Sequence, residues 1–405
     1  MNTIDNLTNI DGKKILVRVD FNVPLKGSEV RDDNRVVQAL PTIKALLEKG
    51  AALVLMSHLG KIKWGKVDDA EIAKQKEKNN MEFVLPVLQK HLAGYTVKFC
   101  GATSGEELKT AIEGLKAKEV LLVQNTRYEK GESKNNPELA KEWASYVDGF
   151  VMDAFGSAHR AHASTYGVPE VLKAEGKPVA LGYLMEKEVK NLGACVEGSE
   201  HPYIAILGGF KVSDKIKVID SLLGKCDKIL IGGAMAYTFL KALGKDIGQS
   251  PCEIDQLEYA KKCYESGKIV LPIDNVVANG FDNYDEDKIH VVNNLEPIPA
   301  GFEGLDIGPK SIELFSKEIA SAKLIFWNGP MGVFEDKNFQ KGTIGVCEAI
   351  ANNKNAFSVI GGGDSAAAAK QFGFTTKFSH VSTGGGASLE MIENNGHLPG
   401  IDIIG

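Results

Sequence analysis

The chain has 405 residues, of which 43% are hydrophobic and 25% are charged. This balance is typical of a folded globular protein, and the length predicts two or three domains at about 150 residues each. The formal net charge of -6 argues against a general binder of nucleic acids or membrane surfaces, although it leaves room for a local basic pocket.

The N-terminus has no basic segment followed by an apolar one, and no apolar run approaches the roughly 20 residues of a membrane span. We therefore expect a cytoplasmic protein without a membrane or nucleic-acid partner. The cysteines are scattered and include no C-x-x-C pair, so we expect reduced, mostly packed thiols rather than zinc ligands or a disulfide framework. They are Cys100, Cys195, Cys226, Cys252, Cys263 and Cys347.

Short apolar, β-branched runs alternate along the chain with segments of helical period. The predicted strands are Lys14–Val19, Ala52–Met56, Val120–Val123, Gly149–Met152, Tyr203–Leu207, Ile229–Ile231, Ile269–Leu271, Leu324–Trp327 and Phe357–Ile360. The helical patterns between them include Glu82–Leu92, Glu106–Ala117 and Asp214–Leu223. Near-continuous apolar strands are buried on both faces, as in parallel sheets covered by helices, which predicts an α/β class built from βα repeats.

Nearly every predicted strand is followed by an unusual cluster of residues. In chain order the clusters are RVDFNVP, MSHLG, QNTRYE, DAFGSAHRAH, LGGFKVSDK, IGGAMA, WNGPMG and IGGGDS. Ligands of open α/β sheets bind at the carboxyl ends of the strands. The clusters before about residue 165 are rich in Arg and His and those after about residue 205 in Gly, which predicts two sheets that carry complementary halves of one active site.

The first group is basic and consists of Arg18, Arg35, His58, Arg127, His159, Arg160 and His162. The planar fork of arginine binds phosphate or carboxylate bidentately, so this set predicts a pocket for an anion with several charged oxygens. Asp20 and Asn22 add acceptors for substrate hydroxyls. A surface ion pair remains an equal alternative for any single arginine, but three ionisable side chains within four positions, at 159–162, suit neither a core nor a helix.

The second group is rich in glycine and includes Gly208-Gly209, Gly232-Gly233, Gly361–Gly363 and Gly384–Gly386. Glycine lets backbone N–H groups approach a ligand, and a helix that begins there offers free N–H groups to phosphate. Asp364, beside the third of these runs, is placed to reach Mg²⁺ on a nucleotide. There is neither a Walker loop nor a dinucleotide fingerprint, and each glycine triplet alone could be a tight turn.

Lys211 and Lys215 follow the first glycine pair, and their spacing predicts that both lie on one face at a helix start. Two cations there are unfavourable with the helix dipole, which makes sense if a polyanion binds them. A solvated helical face is the alternative.

Together these motifs resemble the phosphoglycerate kinase family. The matching strings, in order, are Arg18–Pro24, Arg35 with the ALPTI segment, Ser57–Gly60, Asp153–His162, Leu207–Ile216, Leu305–Ser311, Trp327–Glu335, Gly361–Ser365 and Ser379–Glu390. The resemblance implies an α/β fold of two Rossmann-like three-layer αβα domains with parallel sheets, joined by a hinge helix. It places a substrate domain at 1–175, the interdomain helix at 182–197, a nucleotide domain at 198–389, and a tail at 390–405 that docks back on the first domain. His380 would lie near the hinge.

The resemblance also implies the reaction and its residues. The family transfers a phosphoryl group reversibly between ATP and 3-phosphoglycerate, giving ADP and 1,3-bisphosphoglycerate, with Mg²⁺ on the nucleotide, typically as a monomer. The implied substrate-binding residues are Arg18, Asp20, Phe21, Asn22, Arg35, His58, Leu59, Gly60, Lys61, Arg127, His159, Arg160 and His162. The implied nucleotide-binding residues are Gly209, Lys211, Lys215, Gly233, Gly304, Leu305, Asn328, Pro330, Glu335, Gly361, Gly362, Gly363, Asp364 and Ser365, with Asp364 at the metal.

The attacking carboxylate is already ionised at neutral pH, so the reaction needs alignment and charge cancellation rather than a base. Arg35, Lys211 and Lys215 are the implied catalytic residues, with closure of the two domains before transfer. The chain departs from the family pattern at Lys61-Ile62-Lys63-Trp64, where Arg-Pro normally follows SHLG. Phe210, Gln124 and Tyr128 replace the commoner Ala, Glu and Phe. Two other hypotheses are a catalytically silent relative that acts as a nucleotide-binding scaffold, and a nicotinamide-dependent oxidoreductase.

Overall fold

The structure, a computed structural model that describes residues 1–405, divides into two units. The first unit contains Met1–Val189 together with His397–Gly405, and the second contains Lys190–Gly396. No helix in either unit is both long enough and apolar enough to cross a membrane. All of the cysteines are free thiols, and all but Cys252 are buried.

The first unit is built on a six-stranded parallel sheet. Its strands and a small hairpin are β1 (Lys14–Arg18), β2 (Leu25–Lys26), β3 (Glu29–Val30), β4 (Ala52–Met56), β5 (Val97–Cys100), β6 (Val120–Val123), β7 (Gly149–Met152) and β8 (Val179–Leu181). Its helices are α1 (Asn34–Glu48), α2 (Asp69–Lys78), α3 (Leu85–His91), α4 (Gly105–Glu113), α5 (Pro137–Ser145), α6 (Val168–Ala174) and α7 (Tyr183–Glu197). The strand order is β5-β6-β4-β1-β7-β8, and the hairpin pairs β2 with β3.

The apolar residues of this sheet explain why it forms. Val17, Leu53 and Val120, from neighbouring strands, are fully buried in one cluster with residues of α1 such as Ile43. Full burial of one such side chain stabilises the fold by about 1.5–3 kcal/mol. Helices cover both faces of this sheet, so successive residues of a central strand are all apolar. These strands could therefore be predicted from continuous hydrophobic runs in the sequence.

The second unit contains a six-stranded parallel sheet and a three-stranded antiparallel sheet. Its strands are β9 (Tyr203–Leu207), β10 (Lys228–Ile231), β11 (Ile269–Val270), β12 (Asp274–Ala278), β13 (His290–Asn293), β14 (Glu303–Ile307), β15 (Leu324–Asn328), β16 (Phe357–Ile360) and β17 (His380–Val381). Its helices are α8 (Ile216–Leu223), α9 (Met235–Ala242), α10 (Leu257–Glu265), α11 (Pro309–Ala320), α12 (Lys341–Asn352), α13 (Gly363–Gln371) and α14 (Gly386–Glu393). The strand orders are β11-β10-β9-β15-β16-β17 and β13-β12-β14.

The predicted α/β class with two parallel-sheet domains is confirmed. The strands β5, β8 and β17, each at the edge of its sheet, were not predicted from the sequence. The antiparallel sheet, whose strands β13 and β14 are only partly apolar, was not predicted either. The segment 82–92 divides into a 3₁₀ turn at Met81–Val84 followed by α3.

The boundary between the units lies within α7, since the first unit ends at Val189 and the second begins at Lys190. The tail that joins the first unit begins at His397 and includes α15 (Pro399–Asp402), rather than beginning at residue 390 as expected. Residues 390–396 belong to the second unit because α14 packs on α8. The Ser221 hydroxyl there donates to the Ile392 carbonyl over 2.9 Å.

The side chain of Asp153, which directly follows β7, caps the N-terminus of α7, although α7 starts only at Tyr183. Its Oδ1 atom accepts hydrogen bonds from the backbone of Leu184 and Met185 at 3.1 and 3.3 Å, and its Oδ2 atom has no partner. Complete burial raises the pKa of Asp153 to about 7, against the opposing effect of hydrogen bonds from Thr42, Met185 and Leu184. The buried carboxyl group therefore favours its protonated form.

We predict that Asp153→Asn changes the pH dependence of stability. The raised pKa means that the folded state holds a proton which the unfolded chain has lost, so this contribution is complete below about pH 4 and disappears as pH rises towards about 7. The asparagine can keep the two backbone bonds with its carbonyl oxygen. Urea unfolding between pH 5 and pH 8 is the measurement. The midpoint of Asp153→Asn minus that of wild type should increase with pH up to about pH 7 and stay constant above it.

Asp306→Asn is the matched control, because burial also raises the pKa of Asp306 to about 7. Both of its oxygens accept backbone N–H bonds, from Ile307 and Gly342, at 2.9 Å each. An amide nitrogen must face one of those donors, so this variant should be less stable than wild type by about 1–3 kcal/mol at pH 5. The difference should shrink as pH rises towards about 7, because wild type loses the contribution of the raised pKa of Asp306 over that range. An equal loss of stability in both variants at pH 5 would contradict the assignment of both helix-capping hydrogen bonds to a single oxygen of Asp153.

Candidate active site

The first sheet aligns the carboxyl ends of its central strands. Arg18, at the end of β1, is in register with Met56 of β4 and Met152 of β7. The segments after these strands therefore leave the sheet at the same edge. They contain Asp20, His58 and the run 153–162, and the 3₁₀ turn Thr126–Tyr128 follows the next strand, β6. The structure thus places the predicted basic residues at one edge of the first unit.

Arg18 is buried at this edge, with 1% of its surface exposed. Its guanidinium donates to Ser164 Oγ at 2.8 Å, to the Val19 carbonyl at 2.6 Å and to His58 Nδ1 at 3.0 Å. Burial lowers the pKa of Arg18, and the nearby carboxylate of Glu132 opposes that shift. With so little exposure, Arg18 acts through the groups that it contacts rather than as an open anion ligand.

Glu132 and Ser164 are part of this arrangement and were missed by sequence reasoning. Ser164 donates from its backbone N–H and its hydroxyl to the two carboxylate oxygens of Glu132, at 2.8 and 2.7 Å. Glu132 is itself 1% exposed. A Glu–Ser–Arg–His chain of hydrogen bonds therefore runs from a buried carboxylate to the imidazole of His58. No motif marks Glu132, since its partner lies 32 residues away.

The two histidines near Arg18 favour the neutral state. Burial, followed by the charges of Arg18, Arg127 and Arg35, lowers the pKa of His58 well below its ordinary value. Since Nδ1 of neutral His58 accepts from Arg18, its proton resides on Nε2. Burial lowers the pKa of His162 to about 4, with Glu132 opposing and Arg18, Arg127 and Arg160 adding to the shift. Both rings can donate one hydrogen bond without adding charge.

Asp20, Asn22 and Gly60 hold the more exposed part of the edge. Arg35 donates to both oxygens of Asp20 at 2.9 Å, with 41% of its own side chain exposed. The Gly60 N–H donates to Asn22 Oδ1 at 2.8 Å, and the Arg127 guanidinium donates to the Gly60 carbonyl. Burial lowers the pKa of Arg127. Arginine donors and short polar acceptors therefore lie within one chain of contacts.

The remaining predicted residues of this unit differ in exposure. Arg160 and Lys61 are exposed and His159 is half-buried, so their side chains reach the surface. The side chains of Phe21 and Leu59 are buried at 0% and 1% exposure. Their backbone N–H groups donate to Ser57 Oγ and Asn125 Oδ1. These two residues therefore support the edge through core packing and backbone hydrogen bonds.

In the second unit, three glycine-containing loops meet after β9, β10 and β15. A Cβ atom on Gly208 would lie 2.0 Å from the Pro330 carbonyl, and one on Gly233 would lie 2.6 Å from the Gly209 nitrogen. Gly209 also has a φ of +116°, which disfavours any side chain. These glycines are thus required for close packing of the loops with one another, in addition to any approach of a ligand.

Asn328 joins the loops through its side chain. Its amide accepts from Lys215 Nζ and donates to the Gly361 carbonyl at 2.8 Å. Ser365 is fully buried, and its hydroxyl accepts the Gly329 N–H at 2.6 Å. Asn328 and Ser365, both predicted to bind nucleotide, therefore also fix the loop framework.

The prediction that Lys211 and Lys215 share a helical face is wrong. Helix α8 begins at Ile216, and Lys215 is only its N-cap. Ser213 is held by Glu253, to which its hydroxyl donates at 2.5 Å, so the preceding segment stays outside the helix. Lys211 is exposed, and burial lowers the pKa of Lys215 to about 8, with Asp214, Asp364 and Glu393 opposing.

The Gly361–Ser365 segment forms the start of α13, as predicted. Gly362 is the N-cap with a φ of +104°, and a Cβ atom there would lie 2.3 Å from Asn328 Nδ2. A Cβ atom on Gly363 would meet nothing within 4 Å, so packing does not require glycine at that position. Gly363 and Asp364 are exposed at the first turn, where unpaired N–H groups favour an anion.

The antiparallel sheet carries Gly304 and Leu305 on β14. A Cβ atom on Gly304 would lie 1.9 Å from the Tyr237 hydroxyl, so glycine is needed there for packing. The Leu305 carbonyl accepts the Val333 N–H at 2.9 Å, which fixes the loop that leads to exposed Glu335.

A divalent metal at Asp364 agrees with the donor chemistry only in part. No group of three or more His, Cys, Asp or Glu side chains in the chain could hold a metal ion. Magnesium commonly takes one or two carboxylates and completes its shell with water and phosphate oxygens. A single exposed carboxylate at the amide-rich start of α13 fits an ion that arrives with a nucleotide.

Comparisons with known proteins agree with this geometry. The family described as "Phosphoglycerate kinase" matches residues 4–395. A "Phosphoglycerate kinase" of Macrococcus caseolyticus is 53% identical over 398 residues, covering 97% of this chain and 96% of that protein. One of Fusobacterium nucleatum is 53% identical over 402 residues, covering 98% and 97%. The chain belongs to the phosphoglycerate kinase family.

Solved structures support the same assignment. The phosphoglycerate kinase of Coxiella burnetii superimposes with a TM-score of 0.85 at 36% identity, covering 99% of this chain and 97% of that chain. That of Pyrococcus horikoshii superimposes with a TM-score of 0.83 at 31% identity, covering 100% and 98%. The predicted family is therefore confirmed, and the oxidoreductase hypothesis is wrong. Nothing favours the alternative of a catalytically silent relative of the phosphoglycerate kinases.

We predict that Glu132→Gln weakens the buried hydrogen-bond chain. Ser164 would face an amide nitrogen, and buried Arg18 would lose its nearby countercharge, which should destabilise the fold by about 1–3 kcal/mol. Urea unfolding measures this loss. Glu138→Gln, at an exposed position of α5, is the control and should stay within about 0.5 kcal/mol of wild type. Equal stability of both variants would contradict the structural role of Glu132.

Proposed function

We propose that this enzyme catalyses reversible phosphoryl transfer between ATP and 3-phosphoglycerate, giving ADP and 1,3-bisphosphoglycerate, in glycolysis and gluconeogenesis. The observation that carries the proposal is the family match over residues 4–395, in a chain that retains both the basic edge and the glycine-rich edge. The first edge suits a small multiply charged acid and the second a nucleotide phosphate chain.

The triose substrate is proposed to bind at the first unit. Arg35, Arg127 and Arg160 contribute charge and forked donors, while neutral His58 and His162 donate single hydrogen bonds. Asp20 and Asn22 accept from the hydroxyl group of the substrate. Arg18, with Glu132 and Ser164, is a positioning residue that orients His58.

The nucleotide is proposed to bind at the second unit. Lys211, Lys215 and the amides of Gly361–Gly363 contact its phosphates, Gly304 and Leu305 border the base, and Glu335 binds the ribose. Asp364 would hold Mg²⁺, which supplies charge neutralisation on the phosphate oxygens. Asn328 and Ser365 keep these loops in place by their contacts with Lys215 and Gly329.

No base is required, because a carboxylate is the attacking group. Catalysis consists of aligning the two ligands and of cancelling charge as the phosphoryl group moves in line. Lys211 and Arg35 are proposed to stabilise the migrating group, with Lys215 beside them. Closure of the domains is proposed to precede transfer and to exclude water, which would hydrolyse the acyl phosphate. We further propose that the enzyme works as a cytoplasmic monomer on small-molecule substrates alone.

We predict that Lys211→Ala lowers kcat by at least about a hundredfold while the fold is unchanged. The measurement is a coupled assay with ATP, Mg²⁺ and 3-phosphoglycerate, in which glyceraldehyde-3-phosphate dehydrogenase consumes the acyl phosphate and NADH loss is followed. Lys217→Ala is the control, since this exposed lysine lies on α8 just beyond the loop. Near-normal turnover of Lys211→Ala would refute its role.

We predict that nucleotide affinity falls as pH rises above about 8. The pKa of Lys215 is lowered to about 8, so its ammonium group is charged below that pH and neutral above it. ATP titrations at pH 7 and pH 9 should therefore show weaker binding at the higher pH. Lys215→Arg keeps its charge at both values and should bind with nearly constant affinity; an equal pH dependence in this variant would exclude Lys215 as the titrating group.

A further inference from the structure

The segment Lys61–Trp64, which departs from the family pattern, lies against Arg127. The indole Nε1 of Trp64 donates to the Arg127 carbonyl over 2.9 Å. The backbone N–H of Arg127 donates to Asn125 Oδ1 over 3.0 Å, so both backbone polar groups of this arginine are held by side chains. Its guanidinium then donates to the carbonyl of Gly60. Trp64 thus fixes the backbone from which an anion-binding side chain extends.

A second departure, Tyr128, belongs to the same cluster. Its hydroxyl donates to the carbonyl of Lys76 on α2. The Lys76 ammonium lies 5.0 Å from the ring centre of Trp64 and 5.4 Å from that of Tyr128. Both distances are within the range of cation–π attraction. One lysine therefore contacts both aromatic rings next to Arg127, that of its chain neighbour Tyr128 and that of Trp64, which bonds its carbonyl.

Helix α2 needs such contacts because it has little apolar surface to pack. Ile72 is its only buried residue. Gln75, on the same helix, accepts the Lys63 N–H at 2.7 Å, and Asn79, just beyond it, donates to the Lys61 carbonyl at 3.2 Å. Hydrogen bonds and cation–π contacts, rather than a hydrophobic face, therefore join α2 and the 61–66 loop to the edge that carries Arg127.

We propose that Trp64, Lys76 and Tyr128 form a brace that positions Arg127 and so sets the affinity for the triose-phosphate anion. This inference rests on the proposed function. In this chain an arginine is absent after Gly60, and exposed Lys61 lacks the bidentate fork. The brace holds Arg127 in one position for hydrogen bonding to the anion, which compensates for the single, non-bidentate donor group of Lys61. The three residues are positioning residues and do not themselves contact substrate.

The test is Trp64→Phe, which retains a ring for Lys76 and removes the indole N–H. A hydrogen bond of ordinary strength corresponds to a factor of about three to ten in affinity. We expect the KM for 3-phosphoglycerate and its Kd by calorimetry to rise by about that factor. The KM for ATP and kcat should stay within about twofold, because Trp64 contacts only the edge in the first unit.

Trp143→Phe is the matched control. Trp143, on α5, also donates its indole N–H to a carbonyl, that of Thr103 at 2.8 Å, and this carbonyl is not one of the groups that hold Arg127. This variant should leave the Kd for 3-phosphoglycerate unchanged even if its thermal midpoint falls. Tyr128→Phe, which removes the bond to Lys76, should shift the Kd in the same direction as Trp64→Phe.

Fluorescence supplies an independent readout. Trp64 is half-buried, whereas Trp143 and Trp327 are 1% and 0% exposed. Titration of wild-type enzyme with 3-phosphoglycerate should change the tryptophan emission, and Trp64→Phe should abolish that change. An unaltered Kd and an unaltered emission response in Trp64→Phe would overturn the brace. Failure of wild-type enzyme to bind 3-phosphoglycerate at all would instead overturn the proposed function.

Discussion

The candidate sites depend on the register of the parallel strands, which brings the carboxyl ends of neighbouring strands to the same edge of the sheet. In the first unit, β1 is in register with β4 and β7, so the residues after these strands meet at one edge without any need for proximity in sequence. The same edge concentrates positive charge, and the fold manages it by burial of a compensating carboxylate. Glu132 and Ser164 hold Arg18, and Arg18 in turn holds the imidazole of His58. Without that chain, a buried guanidinium would face a large desolvation cost.

The second unit uses uncharged contacts for a similar purpose. Its loops come so close that side chains at Gly208 or Gly233 would overlap backbone atoms of a neighbouring loop. Asn328 then links two loops, with an amide oxygen towards Lys215 and an amide N–H towards Gly361. Glycine therefore has two roles in this unit, since it permits loop packing at Gly233 and leaves open space at Gly363. The two units thus differ in how their edges are held together, by charged side chains in the first and mainly by close backbone packing in the second.

Most of the departures noted in the sequence, all except Phe210, lie in segments near Arg127. Lys61 and Tyr128 are far apart in sequence, yet Trp64 and Lys76 bring their segments together next to Arg127. Gln124, another departure, accepts the Met81 N–H at 2.8 Å and donates to Asn80 at 2.7 Å. Replacement of a carboxylate by an amide at this position thus adds a donor that the surrounding turn uses.

The sequence by itself determined the α/β class, the long central strands, the family and most residues at the two edges. These follow from local information: buried parallel strands must be apolar along their whole length, and each binding cluster directly follows its strand. Only the tertiary structure decided which of those residues are open to a ligand and which support it. It buried Arg18, Phe21 and Ser365 and placed Lys215 before rather than within α8. It also brought in Glu132, which no motif marks, and placed Trp64 against the Arg127 carbonyl. The reason is physical, since burial, charge compensation and helix boundaries arise from contacts between residues tens of positions apart, and a linear pattern does not encode those distances.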